Sequence, residues 1–180
     1  MRNLFLIAGH GGKDPGALGN GYVERDLAIE LRRLIDLELR RIGVVATLDP
    51  DTNFLGQTLR WLRGKFGEKD VLLDLHWNAS PNPSSNGAEV IVPNVSSSFE
   101  KAFSQALLKV LTDVGFRNRG VKPESDTARG KLALMSENAE NILIEICFIT
   151  NSQDMMLYQN SKNIIAKRLA YIIKEHLNKP

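Results

Sequence analysis

The sequence predicts an α/β domain in which a sheet is covered by helices on both faces. Short apolar runs alternate with longer segments of helical period, and this alternation is typical of α/β domains. The chain has 180 residues, of which 43% are hydrophobic and 24% are charged. This size and composition suffice for one domain with a sizeable core, so we expect a single domain over residues 1–180.

Strands are expected where short apolar runs are bounded by turn residues. These runs lie at residues 3–8, 44–48, 71–75, 88–92, 131–135 and 141–148. The run at 71–75 is almost continuously apolar, which indicates a central strand buried on both faces.

Four helices are expected between and after these strands, at residues 23–42, 55–66, 98–114 and 164–177. In the first, Leu27, Leu31 and Ile35 recur near helical spacing, and Gly43 supplies a stop. The third is the clearest amphipathic helix, because its apolar residues share one face and Gly115 follows it.

Composition excludes several classes of protein. Lys and Arg total 23 and Asp and Glu total 21, so the formal charge of +2 gives no case for a nucleic-acid partner. Cys147 is the only cysteine, which excludes an internal disulfide framework and a zinc site built from thiolates. Any metal must therefore be held by histidine and carboxylate.

The sequence also indicates no membrane partner. No apolar stretch approaches the length of a membrane span, and the apolar run at residues 4–8 is too short for the core of a signal peptide. We expect the protein to be made in the cytoplasm without a signal peptide.

His10 lies in GHGGKDPGA, where the first expected strand ends and the chain turns. Open α/β sheets build their sites at the carboxyl ends of strands, and the flanking glycines let the backbone approach a ligand or a metal closely. A phosphate loop is poorly supported, because no Gly-Lys-Ser or Gly-Lys-Thr follows. A solvated surface histidine is the alternative.

Glu24 is informative because of its position relative to Leu27 and Leu31, which places it on the buried stripe of the first expected helix. A carboxylate that points inward needs a partner. The alternative explanation is a favourable interaction with the helix dipole, worth about 0.3–1 kcal/mol.

His76 ends the apolar run of VLLDLHWNAS, so it is expected at the same sheet edge as His10. Two histidines and one carboxylate are the three protein ligands that a catalytic zinc uses when it keeps a fourth position for water. Asp74 shares the side-chain face of His76, so it is either an orienting partner for that histidine or a simple structural acid.

Glu145 lies within the apolar run ILIEICFI, which predicts a buried strand. An unpaired ionised carboxylate there costs several kcal/mol, so something must compensate it. A structural salt bridge is one explanation, and a general base beside water on a zinc ion is the other. His176, near the end of the last expected helix, is explained by the helix dipole and is given no function.

Six blocks of the sequence resemble, in order, the zinc-dependent N-acetylmuramoyl-L-alanine amidases of the Amidase_3 type. The blocks are GHGGKDPGA, VERDLAIEL, LHWNAS, GAEV, NRGVK and IEICFITN, and they span nearly the whole chain. The resemblance implies a twisted mixed, mostly parallel sheet of about six strands flanked by helices.

The resemblance also implies that His10, Glu24 and His76 bind one zinc ion per chain and that Glu145 is the catalytic glutamate. The implied reaction is hydrolysis of the amide between N-acetylmuramic acid and L-alanine of peptidoglycan. Two positions depart from the family pattern. Trp77 replaces a small residue and either stacks on sugar or packs, and Cys147 replaces a common glycine and is expected to be a core residue.

The residues alone leave other functions open. A zinc peptidase that cleaves a different amide needs the same site chemistry, and an inactive wall-binding module keeps the same fold. We expect a monomeric catalytic domain without a separate wall-binding domain, acting on the cell wall after release or export. Residues 80–87 and 117–122 are expected to border the substrate groove, where cations could meet peptide carboxylates. Solvated loop charges are the alternative.

Overall fold

The computed structural model describes residues 2–179, so Met1 and Pro180, the two ends of the expected domain, lie outside the described residues. Its strands are β1 (Leu4–Ala8), β2 (Leu18–Gly19), β3 (Tyr22–Val23), β4 (Thr47–Leu48), β5 (Val71–Asn78), β6 (Ala88–Val92), β7 (Asn118–Pro123) and β8 (Glu140–Phe148). Its helices are α1 (Glu24–Arg41), α2 (Leu55–Leu62), α3 (Ser98–Val114) and α4 (Ser152–Leu177).

The main sheet of the described chain has six strands in the order β4-β1-β5-β8-β6-β7. Neighbouring strands are parallel except for β6 and β8, which pair antiparallel. Strands β2 and β3 form a separate antiparallel hairpin that leads directly into α1. The expectation of a mixed, mostly parallel sheet of about six strands is confirmed.

Helices cover both faces of this sheet. The larger core lies between the sheet and α1, α3 and α4, and it includes Leu31, Leu75, Phe103, Ile144 and Leu169. On the opposite face, α2 and the segment before β8 pack on β1 and β5 through a smaller cluster. Because alternate residues of a strand face opposite sides, β5 and β8 each contribute to both faces.

Most of the expected elements are found near their expected bounds. Strands β1, β5, β6 and β8 and helices α1 and α3 match closely, whereas β4 is shorter than residues 44–48 and α2 is shorter than residues 55–66. Helix α4 begins at Ser152, far before residue 164, and the side chain of Asn151 accepts hydrogen bonds from the amides of Gln153 and Asp154 at its start.

One expected strand is wrong. Residues 131–135 form no strand, and a 3-10 turn at Ala133–Ser136 occupies this part of the chain. Its apolar side chains cover the sheet face from outside, with Leu134 packed beside Phe5 and Leu72, and Met135 beside Leu143. The sixth strand of the sheet is β7, a polar edge strand that no expected strand covered.

Within residues 2–179, no helix combines the length and the apolar character that crossing a membrane would require.

Candidate metal centre and catalytic carboxylate

A cleft of about 500 Å³ opens at the carboxyl ends of β5 and β8. His10, Glu24, His76 and Glu145 all line it. His10 follows β1, Glu24 is the first residue of α1, and His76 and Glu145 lie on the central strands β5 and β8. The fold therefore brings together all four site residues expected from the sequence.

The carboxylate of Glu24 lies between the two histidine rings. Its Oε2 atom is 3.2 Å from Nε2 of His10, and its Oε1 atom is 2.9 Å from Nδ1 of His76. Ligand atoms from the three residues all lie within 4.8 Å of one another, so the group could hold a metal ion. Donors of a tetrahedral zinc site are about 3.3 Å apart, which the two nitrogen–oxygen distances approach.

Backbone amides fix the carboxylate of Glu24 from two sides. The amide of Ala17 donates to Oε2 at 2.8 Å, and the amide of Trp77 donates to Oε1 at 3.0 Å. Glu24 is only 3% exposed, which confirms the inward orientation expected from its position on α1. The residue just before β2 and the backbone of β5 thus hold the carboxylate in place.

Each histidine contacts a second carboxylate through its remaining ring nitrogen. Nδ1 of His10 lies 2.9 Å from Oδ2 of Asp14, and Nε2 of His76 lies 3.1 Å from Oδ2 of Asp74. Such outer contacts fix the tautomer and the ring orientation of metal-binding histidines. They leave Nε2 of His10 and Nδ1 of His76 directed at Glu24.

Two glycines allow this close packing. A Cβ atom at Gly9 would lie 2.2 Å from the ring of His76. At Gly16, where φ is +66°, a Cβ atom would lie 2.6 Å from both Oε2 of Glu24 and Cδ2 of His10. The backbone at Gly9 and Gly16 can therefore pass close to His76 and Glu24 only because neither residue has a side chain.

The electrostatics of the group favour charged side chains. Burial by itself raises the pKa of Glu24, but hydrogen bonds from His10 and His76 outweigh it and hold the pKa far below the ordinary value. Burial also opposes the charged form of both imidazoles. The Glu24 carboxylate raises the pKa of His10 nevertheless, and Asp74 together with Glu24 raises that of His76 well above 6.5.

Glu145 lies directly across from His76, because these residues are Cα partners in the parallel pairing of β5 and β8. Its Oε2 atom is buried and has no hydrogen-bond partner among residues 2–179. The pKa of Glu145 is raised to about 7, mainly by burial. The nearby charge of His76 lowers this pKa, and the neighbouring carboxylates of Glu24, Glu89 and Asp74 raise it further. No salt bridge to Glu145 is found in the described chain.

A second buried carboxylate, Glu89, adjoins Glu145 on the other side, as its Cα partner across β6 and β8. Oε1 of Glu89 accepts a hydrogen bond from Nδ2 of Asn78 at 2.7 Å. Oε2 accepts hydrogen bonds from Nε of Arg119 at 2.8 Å and from Nζ of Lys122 at 2.7 Å. Although burial raises the pKa of Glu89, the two cations outweigh it and lower that pKa.

Three other residues considered from the sequence have structural roles. Trp77 is buried and packs edge-on against Tyr158, so the packing explanation holds and a sugar-stacking surface is wrong. Cys147 is buried in the larger core, as expected. His176 is buried and stacks on Phe103 with ring centroids 4.8 Å apart, so the helix dipole alone was an incomplete explanation.

The sequence reasoning missed Asp14 and Glu89 as members of the site. Asp14 follows His10 within the same turn, and no periodic pattern marks it. Glu89 carries the signal that identified Glu145, a carboxylate within an apolar strand, and that criterion applied to AEVIV would have found it.

The fold and the site together define a class. It is an α/β domain in which a His–Glu–His group, of the composition that can hold zinc in hydrolases, lies beside a buried carboxylate. The family model Amidase_3, described as N-acetylmuramoyl-L-alanine amidase, matches residues 4–175. The chain therefore belongs to the N-acetylmuramoyl-L-alanine amidase family.

Individual relatives agree with this membership. The chain is 28% identical over 154 residues to the N-acetylmuramoyl-L-alanine amidase LytC of Bacillus subtilis, covering 84% of this chain and 30% of that protein. It is 27% identical over 183 residues to the endolysin of Bacillus phage SPP1, covering 97% of this chain and 66% of the endolysin. The chain thus spans less than a third of LytC and about two thirds of the endolysin.

A solved structure shares the fold. The catalytic domain of CwlV, an N-acetylmuramoyl-L-alanine amidase from Bacillus (Paenibacillus) polymyxa, superimposes with a TM-score of 0.80 at 24% identity. The match covers 99% of each chain.

Proposed function

We propose that this chain hydrolyses the amide between N-acetylmuramic acid and L-alanine in peptidoglycan, with zinc held by His10, Glu24 and His76 and with Glu145 as the catalytic base. The observation that carries the proposal is the convergence of these four side chains in one cleft of a chain that belongs to the amidase family.

The donor set fits zinc. Two imidazoles and one carboxylate leave a fourth position open, as catalytic zinc sites do, and their outer contacts to Asp14 and Asp74 are of the kind that orient zinc ligands. When bound, zinc polarises a carbonyl oxygen and lowers the pKa of water. The unpartnered Oε2 atom of Glu145 gives the same cleft a buried acceptor for a proton.

Glu145 is positioned to act as general base and then as general acid. Its raised pKa, about 7, lies near neutral pH, where a carboxyl group can both accept and return a proton. It would take a proton from the attacking water and pass it to the leaving nitrogen of L-alanine. The cleft continues from Glu145 to Glu89, Arg119 and Lys122, so the leaving peptide would lie on the side of β6 and β7.

The proposed action takes place at the cell wall, on peptidoglycan, and we expect a monomer. Nothing in the reaction requires a second subunit, because all four side chains come from one chain. The proposal concerns the domain described here and not the activity of the longer relatives, whose other parts this chain does not cover.

Digestion of purified peptidoglycan tests the function. Mass analysis should detect new stem peptides with a free N-terminal L-alanine and glycan strands with unsubstituted lactyl groups. Opening of a different amide would favour a zinc peptidase of related architecture, and no cleavage by zinc-loaded protein would favour a wall-binding module. Dialysis against a chelator should abolish activity, and added zinc should restore it.

A further inference from the structure

A row of charged side chains crosses the sheet from the metal centre to its edge. His76 on β5 is the Cα partner of Glu145 on β8, and Glu145 is the Cα partner of Glu89 on β6. The row ends on β7, where Arg119 and Lys122 both bond to Glu89. The register of four neighbouring strands therefore determines how far these cations lie from the catalytic carboxylate.

The end of this row carries surplus positive charge. Two cations share the single carboxylate of Glu89, so the group has a net charge of about +1. The side chains of Arg119 and Lys122 are 27% and 30% exposed, and both residues line the cleft. Arg129 and Asp126 also line it and together add no net formal charge.

Both cations keep hydrogen-bond donors that Glu89 does not use. Lys122 has three ammonium protons and bonds only to Glu89 among the residues that the structure describes. Arg119 uses Nε for Glu89 and has a long 3.5 Å contact from Nη1 to the carbonyl of Asn86, which leaves Nη2 without a partner in residues 2–179. Its guanidinium lies 4.8 Å from the ring centroid of Phe148, which holds it in place.

The position of the cations matches a particular part of the substrate. The cleft extends from Glu145 toward β6 and β7, so a stem peptide that leaves Glu145 has room on that side. Adjacent strands are about 4.8 Å apart. Because the cations on β7 reach back to Glu89 on β6, their nitrogens lie roughly 5–10 Å from Glu145. Two extended residues of a peptide span about 7 Å, which falls within this range.

We propose that Arg119 and Lys122, held by Glu89, form a subsite for the α-carboxylate of the acidic second residue of the stem peptide. This inference rests on the proposed amidase function, which sets the direction of the peptide. A carboxylate there would form charge-assisted hydrogen bonds with both cations, whereas a carboxamide would bring no negative charge. The subsite would therefore distinguish a free second-residue carboxylate from an amidated one.

Two substrates that differ only at this group test the subsite: N-acetylmuramoyl-L-alanyl-D-glutamate and N-acetylmuramoyl-L-alanyl-D-isoglutamine. Wild-type protein should have the higher kcat/KM on the free acid, mainly through a lower KM. Lys122→Gln should reduce the acid-to-amide ratio of kcat/KM about tenfold, the effect of losing one charge-assisted hydrogen bond. Arg117→Gln is the matched control, because Arg117 is exposed and does not line the cleft, and it should keep the ratio.

Equal kcat/KM values for the two substrates in wild-type protein, or an unchanged ratio in Lys122→Gln, would overturn the subsite while leaving the amidase function intact. Binding of the dipeptides L-alanyl-D-glutamate and L-alanyl-D-isoglutamine, measured by calorimetry, keeps the two proposals separate. If wild-type protein cleaves neither these substrates nor purified peptidoglycan, the amidase proposal fails. Preferential binding of the acidic dipeptide that is lost in Lys122→Gln still supports the subsite, and equal binding of both dipeptides rejects it.

Discussion

The backbone amide of Trp77 donates a hydrogen bond of 3.0 Å to Oε1 of Glu24, and this bond joins the first turn of α1 to the central strand β5. It explains how one carboxylate can face two imidazoles without turning toward solvent. The same oxygen contacts Nδ1 of His76, the residue that precedes Trp77, so backbone and side chain of β5 hold it together. The candidate metal centre is therefore part of the packing between α1 and the sheet.

Glu24→Gln is expected to abolish tight zinc binding. The amide group of glutamine would place an NH₂ against one of the backbone amides that now donate to the carboxylate, and it would remove the anionic ligand. We expect affinity to fall by more than about 100-fold, beyond the effect of losing an outer partner. Equilibrium dialysis with zinc measures the change. Asp26→Asn alters the next exposed carboxylate of the same helical turn and should leave affinity unaltered; equal losses in both variants would contradict the assignment.

Gly16→Ala should weaken zinc binding as well as stability, whereas Gly21→Ala should affect stability alone. Both glycines have positive φ values, +66° and +80°, so both variants introduce backbone strain of about 1 kcal/mol or more. A Cβ atom at Gly16 would also collide with Glu24 and His10, whereas the corresponding space at Gly21 is open. Chemical denaturation and zinc titration of both variants separate the two effects. Parallel losses of zinc affinity would show that strain, and not the collision, is responsible.

Glu145→Gln should lose nearly all turnover and still bind zinc. The carboxylate lies beside His76 without belonging to the His–Glu–His group, so its removal takes away the proton acceptor and leaves the three ligands. General-base catalysis contributes about 10²–10⁴-fold, which sets the expected decrease in kcat. Zinc content by mass spectrometry and kcat on muramoyl peptide are the two measurements. Activity within tenfold of the wild type would remove Glu145 from the proposed role.

Arg32→Met should destabilise the fold strongly. Arg32 is 2% exposed and forms ion pairs with Asp49 and Asp51, and Asp49 also accepts the amide of Ala8 at the end of β1. Its loss would leave Asp49 buried without its cation, at a cost of about 3–5 kcal/mol. Urea denaturation measures the change in the free energy of unfolding.

Arg33→Met is the control for this prediction, because Arg33 pairs with Asp51 from an exposed position on the same helix. Exposed ion pairs contribute about 0–1 kcal/mol, so this variant should unfold near the wild-type midpoint. Similar midpoints for the Arg32 and Arg33 variants would show that burial of the Arg32 pair has no energetic consequence.

Zinc affinity should increase as the pH rises from about 6 to 8. In the metal-free protein, the pKa values of His10 and His76 lie above 6.5, chiefly because the neighbouring carboxylates outweigh the effect of burial. Their protonated forms stabilise the metal-free fold at low pH, and this contribution is lost as the pH rises through the raised values. Zinc requires the neutral rings and must displace these protons. Competition with a chelator of known affinity measures the trend, and identical affinities at both ends of the range would refute it.

The sequence was sufficient to identify site residues whose charge conflicts with apolar neighbours. Glu24 on an apolar helix stripe and Glu145 in an apolar strand both stand out, and the structure brings them together with His10 and His76. The assignment of roles to these four residues stays a prediction. Asp14 could not be found in this way, because a charged residue in a turn is ordinary. The cation pair on β7 lies in the segment 117–122 that was expected to border the groove, and Arg119 and Lys122 do line the cleft.

The errors in the predicted fold arise where the pattern of apolar residues does not match the structure that the segment adopts. Strand β7 contains Gly120 and Pro123 and is largely polar, so it lacks the apolar pattern of a strand and forms only by pairing with β6. Residues 131–135 have an apolar pattern but cover the sheet from outside as a turn. The hairpin of β2 and β3 is the exception, because its Asn20–Gly21 turn is a local signal that sequence reasoning can use.

The antiparallel direction of β6 has a consequence for engineering. Because β6 runs opposite to β5 and β8, the connection at residues 79–87 crosses the rim of the cleft instead of the far end of the sheet. Its ends are anchored by bonds from the amide of Ser80 to Thr150 and from the amide of Gly87 to Asp154. Loops of other lengths and compositions, grafted between these two anchors, should change which wall polymers the proposed amidase accepts, while the strand pairing and the His–Glu–His group stay as they are.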